Sequence, residues 1–162
     1  MSVTDELLAN AERYAETFDR SGLPMPPAKH VAVVACMDAR LDPYGLLGLS
    51  EGDAHVIRNA GGVITQDELR SLAISQRLLG TREAILTHHT DCGMLTFTDQ
   101  DRDSIAAETG VRPSWASEAF SDLEADVRQS FARIAAEPSI PHKDAVRWFV
   151  YDVETGRLSE VV

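Results

Sequence analysis

Positive charge is scarce in this sequence: 15 lysine and arginine residues stand against 26 aspartate and glutamate residues, a formal net charge of −11. So acidic a chain repels the phosphates of nucleic acids and anionic lipid headgroups. Apolar runs long enough to cross a bilayer are missing, and the N-terminal stretch lacks the apolar core of a secretory leader. We therefore expect a cytoplasmic protein that binds neither nucleic acid nor membranes.

Cysteine is also scarce, because Cys36 and Cys92 are the only two in 162 residues. Two such cysteines are commonly small buried hydrophobic residues. A disulfide between them is disfavoured in a reducing compartment. With 44% hydrophobic residues, the chain is long enough to bury a core, so we expect a single domain over residues 1–162.

Both cysteines lie in short motifs that also contain histidine or paired charges, at residues 36–40 (CMDAR) and 88–93 (HHTDCG). Zn²⁺ prefers thiolate and imidazole ligands, and His89 and Cys92 have a usual ligand spacing. Cys36 is the remaining soft donor. Three protein ligands leave the fourth tetrahedral position for water, as in catalytic rather than structural zinc sites. The motifs therefore leave a zinc site and two buried thiols both open, and for a zinc site the ligand count favours a catalytic over a structural role.

Hydrophobic patterning predicts an α/β fold. Continuous apolar, β-branched runs are typical of parallel strands covered on both faces, and they occur at residues 30–36, 54–59 and 83–88. Helical periodicity covers 66–79, between a Thr65 N-cap and Gly80, and a second long helix is predicted at 117–136. A last strand at 145–153 turns at 154–157 into a short antiparallel partner ending at Val162. We expect a central, mostly parallel β-sheet flanked by helices, with both motifs at the carboxyl ends of strands, where such sheets bind ligands.

With these motifs in place, the chain resembles the β-class carbonic anhydrases, whose signature is Cys-x-Asp-x-Arg followed by His-x-x-Cys. The similarity runs through most of the chain, including residues 58–62 (RNAGG), and is strongest to the short bacterial members. The resemblance implies reversible hydration of CO2 to bicarbonate with one Zn²⁺ per subunit. By this resemblance, the zinc ligands are Cys36, His89 and Cys92, and the family's Asp–Arg dyad is formed by Asp38 and Arg40. The residues expected to line the pocket are Asn59, Ala60, Gly61 and Gly93.

Strand alternation separates the two adjacent histidines of the second motif. Successive side chains of a strand point to opposite faces, so His88 should point away from His89. By the same resemblance, His88 is not a ligand.

The resemblance also implies an assembly. Residues 1–23 form a predicted helical arm, separated from the body by the proline-rich segment 24–27, with an apolar stripe at Leu7, Leu8, Ala11, Tyr14, Ala15 and Phe18. Enzymes of this class are dimers or multiples of dimers whose arms pack on the partner. We therefore expect a homodimer or a dimer of dimers.

The chemistry that follows is hydration by a zinc-bound hydroxide. In the three-histidine carbonic anhydrases, the zinc-bound water has a pKa of about 7. Two thiolates neutralise the charge of Zn²⁺, so the hydroxide should form at somewhat higher pH and activity should rise with pH. An Arg40 that grips Asp38 keeps it ionised and turned from the metal. Without that grip, Asp38 can fill the fourth position in a closed state.

One departure from the family leaves the substrate open. Many β-class enzymes have a glutamine just before the first strand that hydrogen-bonds the substrate, whereas residues 25–30 (MPPAKH) contain none. A hydrolase of carbonyl sulfide or carbon disulfide on the same scaffold would carry the same zinc and dyad signature. A zinc-binding redox sensor without turnover is the alternative from another class.

Overall fold

The computed structural model describes residues 2–161, which contain a five-stranded sheet. The strands are β1 (Val31–Cys36), β2 (Ala54–Asn59), β3 (Glu83–His89), β4 (Val146–Tyr151) and β5 (Leu158–Glu160), in the order β2-β1-β3-β4-β5. All neighbouring pairs are parallel except β4–β5, which is antiparallel. The predicted α/β class and mostly parallel sheet are therefore confirmed.

Five α-helices accompany the sheet in this part of the chain: α1 (Val3–Glu16), α2 (Pro43–Leu47), α3 (Gln66–Leu79), α4 (Asp99–Thr109) and α5 (Leu123–Ala136). None of the described helices is long and apolar enough to cross a membrane. The N-terminal helix α1 has no buried residue, so its apolar stripe faces outward.

Two apolar layers hold the sheet, one on each face. Ala32 and Val34 of β1 belong to the layer under α3 and α5, whereas Val33 and Ala35 belong to the layer that includes Leu41 and Met94. Because both faces are covered, residues 32–36 of β1 are all buried. The central strand is thereby fixed, and its carboxyl end at Cys36 is fixed with it.

Local sequence sets the ends of α3, as predicted. The Thr65 side chain caps the helix, and the Glu68 carboxylate accepts a hydrogen bond from the backbone N–H of Thr65 in return. Gly80 ends the helix in the left-handed conformation, with φ of 76°.

The second long helix begins later than predicted. Residues 117–122 are irregular, because Glu118 has φ of 51° and Asp122 accepts a hydrogen bond from the N–H of Ala125 as the N-cap of α5. A left-handed residue cannot continue an α-helix. Helices α2 and α4 were not predicted, and the strand predicted at 145–153 is shorter at both ends, as β4. The predicted end of the last strand at Val162 lies outside the described residues.

Gly62 packs between the carboxyl ends of β1 and β3. It has φ of 71°, and a Cβ built on it would lie 2.9 Å from both the Cys36 backbone nitrogen and the Thr87 carbonyl oxygen. A real Cβ atom does not approach other atoms this closely, so only glycine fits here. The turn of residues 60–62 can therefore lie directly against the strand ends.

We expect Gly62→Ala to destabilise the protein far more than Gly110→Ala. Gly110 has nearly the same φ, 72°, but a Cβ there would meet no atom within 4 Å. The left-handed strain alone should cost about 1–2 kcal/mol at Gly110, and overpacking should bring the loss at Gly62 to about 3 kcal/mol or more. Urea unfolding of both variants measures the difference, and equal losses would contradict the close packing of Gly62.

Candidate metal centre

Three buried donor residues meet at the carboxyl ends of β1 and β3. Cys36 ends β1, His89 ends β3, and Cys92 follows three residues later, after a turn. One ligand atom from each lies within 4.8 Å of the others, and the two Sγ atoms are 4.0 Å apart. The strands β1 and β3 are neighbours, so the sheet itself brings the two motifs together.

The His89 ring is oriented for a ligand. Its Nδ1 lies 2.8 Å from the Thr90 carbonyl oxygen, to which it donates as N–H. That tautomer leaves a lone pair on Nε2, which is buried and has no hydrogen-bond partner. A buried nitrogen without a partner is costly unless something else satisfies it.

The neighbouring His88 points to the other face of the sheet, as strand alternation predicts. Its Nε2 is 2.6 Å from Asp126 Oδ2 of α5, and its ring packs against Phe120. It takes no part in the donor cluster.

The donor set fits zinc. A tetrahedral zinc with Zn–S bonds of about 2.3 Å holds two sulfurs about 3.8 Å apart. The observed separation of 4.0 Å is close to that value. The unpartnered His89 Nε2 supplies the third donor, so the cluster could hold a metal ion with a fourth position free.

The two thiols are electrostatically coupled. A hydrogen bond from Cys92 holds the pKa of Cys36 well below its usual range, against the opposing effect of burial. The same contact, together with burial, raises the pKa of Cys92. Ionising both sulfurs together is therefore unfavourable unless a cation lies beside them.

Asp38 and Arg40 form the predicted ion pair beside the donor cluster. Arg40 donates from Nε to Asp38 Oδ1 at 3.0 Å and from Nη2 to Asp38 Oδ2 at 2.8 Å. This two-pronged contact, with the Arg40 backbone N–H, holds the pKa of Asp38 well below its usual range. Asp38 Oδ2 also lies 3.8 Å from His89 Nε2, so an ionised carboxylate faces the donors.

Two further residues shape the site and were not assigned a role from the sequence. Arg58 donates to the backbone carbonyls of Cys36, Asp38 and Leu41 at 2.8–3.0 Å and so fixes the loop after β1. Asp91 accepts a hydrogen bond from Arg40 Nη1 at 2.8 Å. The only sequence feature that pointed to Arg58 was its place in the RNAGG segment. The only feature that pointed to Asp91 was its position between the two expected ligands His89 and Cys92.

An apolar cavity of about 390 Å³ is lined in part by residues close in sequence to the donors, but not by the donors themselves. Met37 and Met94, close in sequence to Cys36 and Cys92, line it with Phe97. Of the residues expected to line a pocket, Asn59 and Ala60 do so.

Gly61 and Gly93 are not part of that lining. Gly61 is buried, and a Cβ on it would meet Met94, Phe120 and Val63 at 3.1–3.3 Å. Gly93 is exposed at the start of a short 3₁₀ turn, Gly93–Leu95, that follows Cys92.

Comparison with known proteins gives concordant matches. A family model described as carbonic anhydrase matches residues 31–158. Beta-carbonic anhydrase 1 of Mycobacterium tuberculosis is 61% identical over 162 residues, which is 99% of both chains. A carbon disulfide hydrolase of Acidianus sp. is 33% identical over 82% of this chain and 59% of its own length. The crystal structure of a carbonic anhydrase from Streptococcus mutans has a TM-score of 0.92 and 40% identity, covering 100% of this chain and 99% of that one.

Removing one donor should abolish metal binding. We expect Cys92→Ala and His89→Gln each to weaken zinc binding by more than about 100-fold, since loss of even an outer hydrogen-bond partner costs 10–100-fold. His55→Gln is the control, because His55 lies in β2, bonds Ser75 Oγ at 2.7 Å and is outside the cluster. Zinc content per chain after dialysis measures the effect, and full retention in Cys92→Ala would refute the cluster as the binding site.

Proposed function

The chain belongs to the β-carbonic anhydrase family, and we propose that it catalyses the reversible hydration of CO2 to bicarbonate and a proton. The observation that carries the proposal is the donor cluster, in which His89 Nε2 is buried without a partner beside the paired sulfurs of Cys36 and Cys92. We propose that these three residues hold one Zn²⁺ per subunit.

Asp38 and Arg40 supply the protein's part of the proposed reaction. Zinc, when bound, supplies the Lewis acidity that makes a water molecule a nucleophile near neutral pH. Asp38, kept ionised by Arg40, is placed to accept a hydrogen bond from the attacking water at Oδ2 and so to orient it. Arg40 is half exposed and its side-chain hydrogen bonds go to Asp38 and Asp91, so its effect on the site passes through Asp38.

The same pair offers a closed arrangement of the site. Asp38 Oδ2 is already 3.8 Å from His89 Nε2, so a small movement would bring the carboxylate into the fourth coordination position. The two side-chain hydrogen bonds from Arg40 oppose that movement. We propose that these hydrogen bonds determine whether the fourth coordination position is open to substrate.

The cavity suits a small non-polar substrate. Its walls include the side chains of Met37, Met94 and Phe97, together with Asn59. CO2 carries no net charge and needs little desolvation to enter such a space.

Hydrolysis of carbonyl sulfide or carbon disulfide is the second candidate. It is supported by the apolar cavity, by the absence of glutamine in residues 25–30 and by the carbon disulfide hydrolase among the relatives. Identity to the carbonic anhydrase relative is nearly twice as high, 61% against 33%, which favours CO2. Family membership also favours an enzyme over the redox sensor.

Stopped-flow CO2 hydration by the zinc-loaded protein is the direct test of the proposal. We expect fast hydration that rises from pH 7 to pH 9, because two thiolates make zinc a weaker acid than three imidazoles do. Metal content is measured on the same sample, and carbonyl sulfide and carbon disulfide are assayed beside CO2. If the fully zinc-loaded protein turned over carbonyl sulfide or carbon disulfide but not CO2, the second candidate function would replace the first. If it turned over none of the three compounds, both candidate functions would be refuted.

A variant of Asp38 separates the dyad from metal binding. Asp38→Ala should keep its zinc and lose about 100-fold in hydration rate, a typical effect for a group that positions or moves a proton. Asp103→Ala, an exposed carboxylate in α4, is the control. Unchanged rates in Asp38→Ala would remove the dyad from the mechanism.

We propose further that the protein is a homodimer, or a dimer of dimers, in which the arm of residues 1–23 packs on a second copy of the chain. The support is the apolar stripe of α1, where Leu7 and Leu8 are each 60% exposed and Tyr14 is 51% exposed. Tyr14 reaches the body of its own chain through a hydrogen bond to Glu51. The side chains of Leu7 and Leu8 remain mostly exposed to solvent in the described part of the chain.

Charge on the stripe should therefore weaken association. Burying two leucines contributes roughly 3 kcal/mol or more, so Leu7→Glu/Leu8→Glu should raise the dimer dissociation constant at least about 100-fold. Thr4→Glu/Asn10→Glu adds the same charge at two exposed polar positions of α1. Sedimentation equilibrium measures the constants, and a monomeric wild type or an unaffected leucine variant would refute the role of the arm.

A further inference from the structure

Arg40 contacts carboxylates from both metal-site motifs. Besides its contacts with Asp38, it donates from Nη1 to Asp91 Oδ2 at 2.8 Å and from Nη2 to the Asp91 carbonyl oxygen at 3.0 Å. Asp91 lies between His89 and Cys92, in the second motif. One guanidinium therefore connects the loop after β1 to the turn after β3.

The contacts of Arg40 with the two aspartates do not compete. A guanidinium has five N–H donors. Nε and one Nη2 hydrogen serve Asp38, while the other Nη2 hydrogen and one Nη1 hydrogen serve Asp91. Both aspartates can therefore hold Arg40 at once, from different sides.

The backbone of Asp91 adds a second observation. Asp91 has φ of 53°, in the left-handed region, where glycine is least strained and aspartate and asparagine are tolerated. The turn thus has an aspartate at a position where the backbone conformation favours glycine, the residue without a side chain. The Asp91 side chain is used in the contact with Arg40.

We propose that Asp91 is a positioning residue that anchors Arg40 and thereby keeps Asp38 away from the fourth coordination position of the metal. The inference rests on the proposed function in that it assumes a metal held by Cys36, His89 and Cys92. Asp91 is not one of the donors and does not line the cavity.

The anchor acts by restricting how Arg40 and Asp38 move together. Asp38 reaches the metal position by leaving Arg40 or by carrying the guanidinium along. The contacts of Arg40 with Asp91 oppose the second route, because they tie the guanidinium to the turn that bears Cys92. Without Asp91, the ion pair is attached to a single loop.

The expected effect is modest because the pair is exposed. The side chains of Arg40 and Asp91 are 48% and 78% exposed, and ion pairs of this kind are weak. A bias of that strength changes the ratio of closed to open sites about three- to fivefold, and it raises the apparent Kd of a ligand for the open site by up to that factor.

Thiocyanate binding to the cobalt-loaded full chain, followed by visible absorption, measures access to the fourth position without relying on turnover. We expect Asp91→Gly, which removes the side chain and relieves the backbone, to raise the apparent Kd by up to about three- to fivefold. Asp91→Asn keeps an acceptor for Arg40 and should change it less than twofold. Asp103→Asn is the control, because it removes the same charge from an exposed pair with Arg112.

A double-mutant cycle with Asp38→Ala tests the route of the effect. If Asp91 acts through Arg40 on Asp38, Asp91→Gly should leave the Kd unchanged in the Asp38→Ala background. The same three- to fivefold rise there would show that Asp91 only shapes the metal turn, and it would overturn the inference. An unchanged Kd in the single variant Asp91→Gly would also overturn it.

The outcomes are distinct from those for the proposed function. If the effects of Asp91→Gly and Asp38→Ala on the Kd are coupled but the zinc protein does not hydrate CO2, the proposed function is refuted and the role of Asp91 is supported. Hydration without coupling would refute the role of Asp91 alone. A wild-type chain that takes up no cobalt would overturn both.

Discussion

The adjacency of β1 and β3 in a parallel sheet is the constraint on which the site depends. Neighbouring parallel strands end at the same edge of the sheet, so Cys36 and His89 lie close together although 53 positions separate them in sequence. Gly62 closes the space between the two strand ends, where no larger residue fits. A shift of either strand by one residue would turn its ligand to the other face, as His88 shows by its contact with Asp126.

Hydrogen bonds from two arginines then fix the loops that continue from these strands. Arg58 uses three backbone carbonyls to hold the loop after β1, so the direction of that loop does not depend on its side chains. Arg40 joins the same loop to the turn after β3 through Asp38 and Asp91. The donor cluster is therefore organised by contacts among the protein's own residues, and a metal ion would enter a site whose loops are already connected.

Sequence patterns predicted those parts of the molecule that depend on local chemistry. The bounds of α3 follow from Thr65 and Gly80, and the donor cluster follows from the spacing of His89 and Cys92. The late start of α5 was not predictable, since it depends on a left-handed Glu118 inside an otherwise helical pattern. Helix α4 has no buried residue, so it leaves no apolar periodicity to detect. The contact of Arg40 with Asp91 spans 51 positions and became visible only when the fold placed both at one edge.

Charge links this geometry to the proposed reaction. The chain has a net charge of −11, and within that total Asp38, Arg40 and Asp91 account for one net negative charge near the donor cluster. A neutral substrate is indifferent to this field, whereas an anionic product is repelled by it, within the screening length of about 8 Å at physiological salt. For CO2 hydration, the field therefore favours release of bicarbonate without opposing entry of CO2. In the reverse direction it opposes capture of the anion, so the acidic surroundings shift the effective affinities of the site toward hydration.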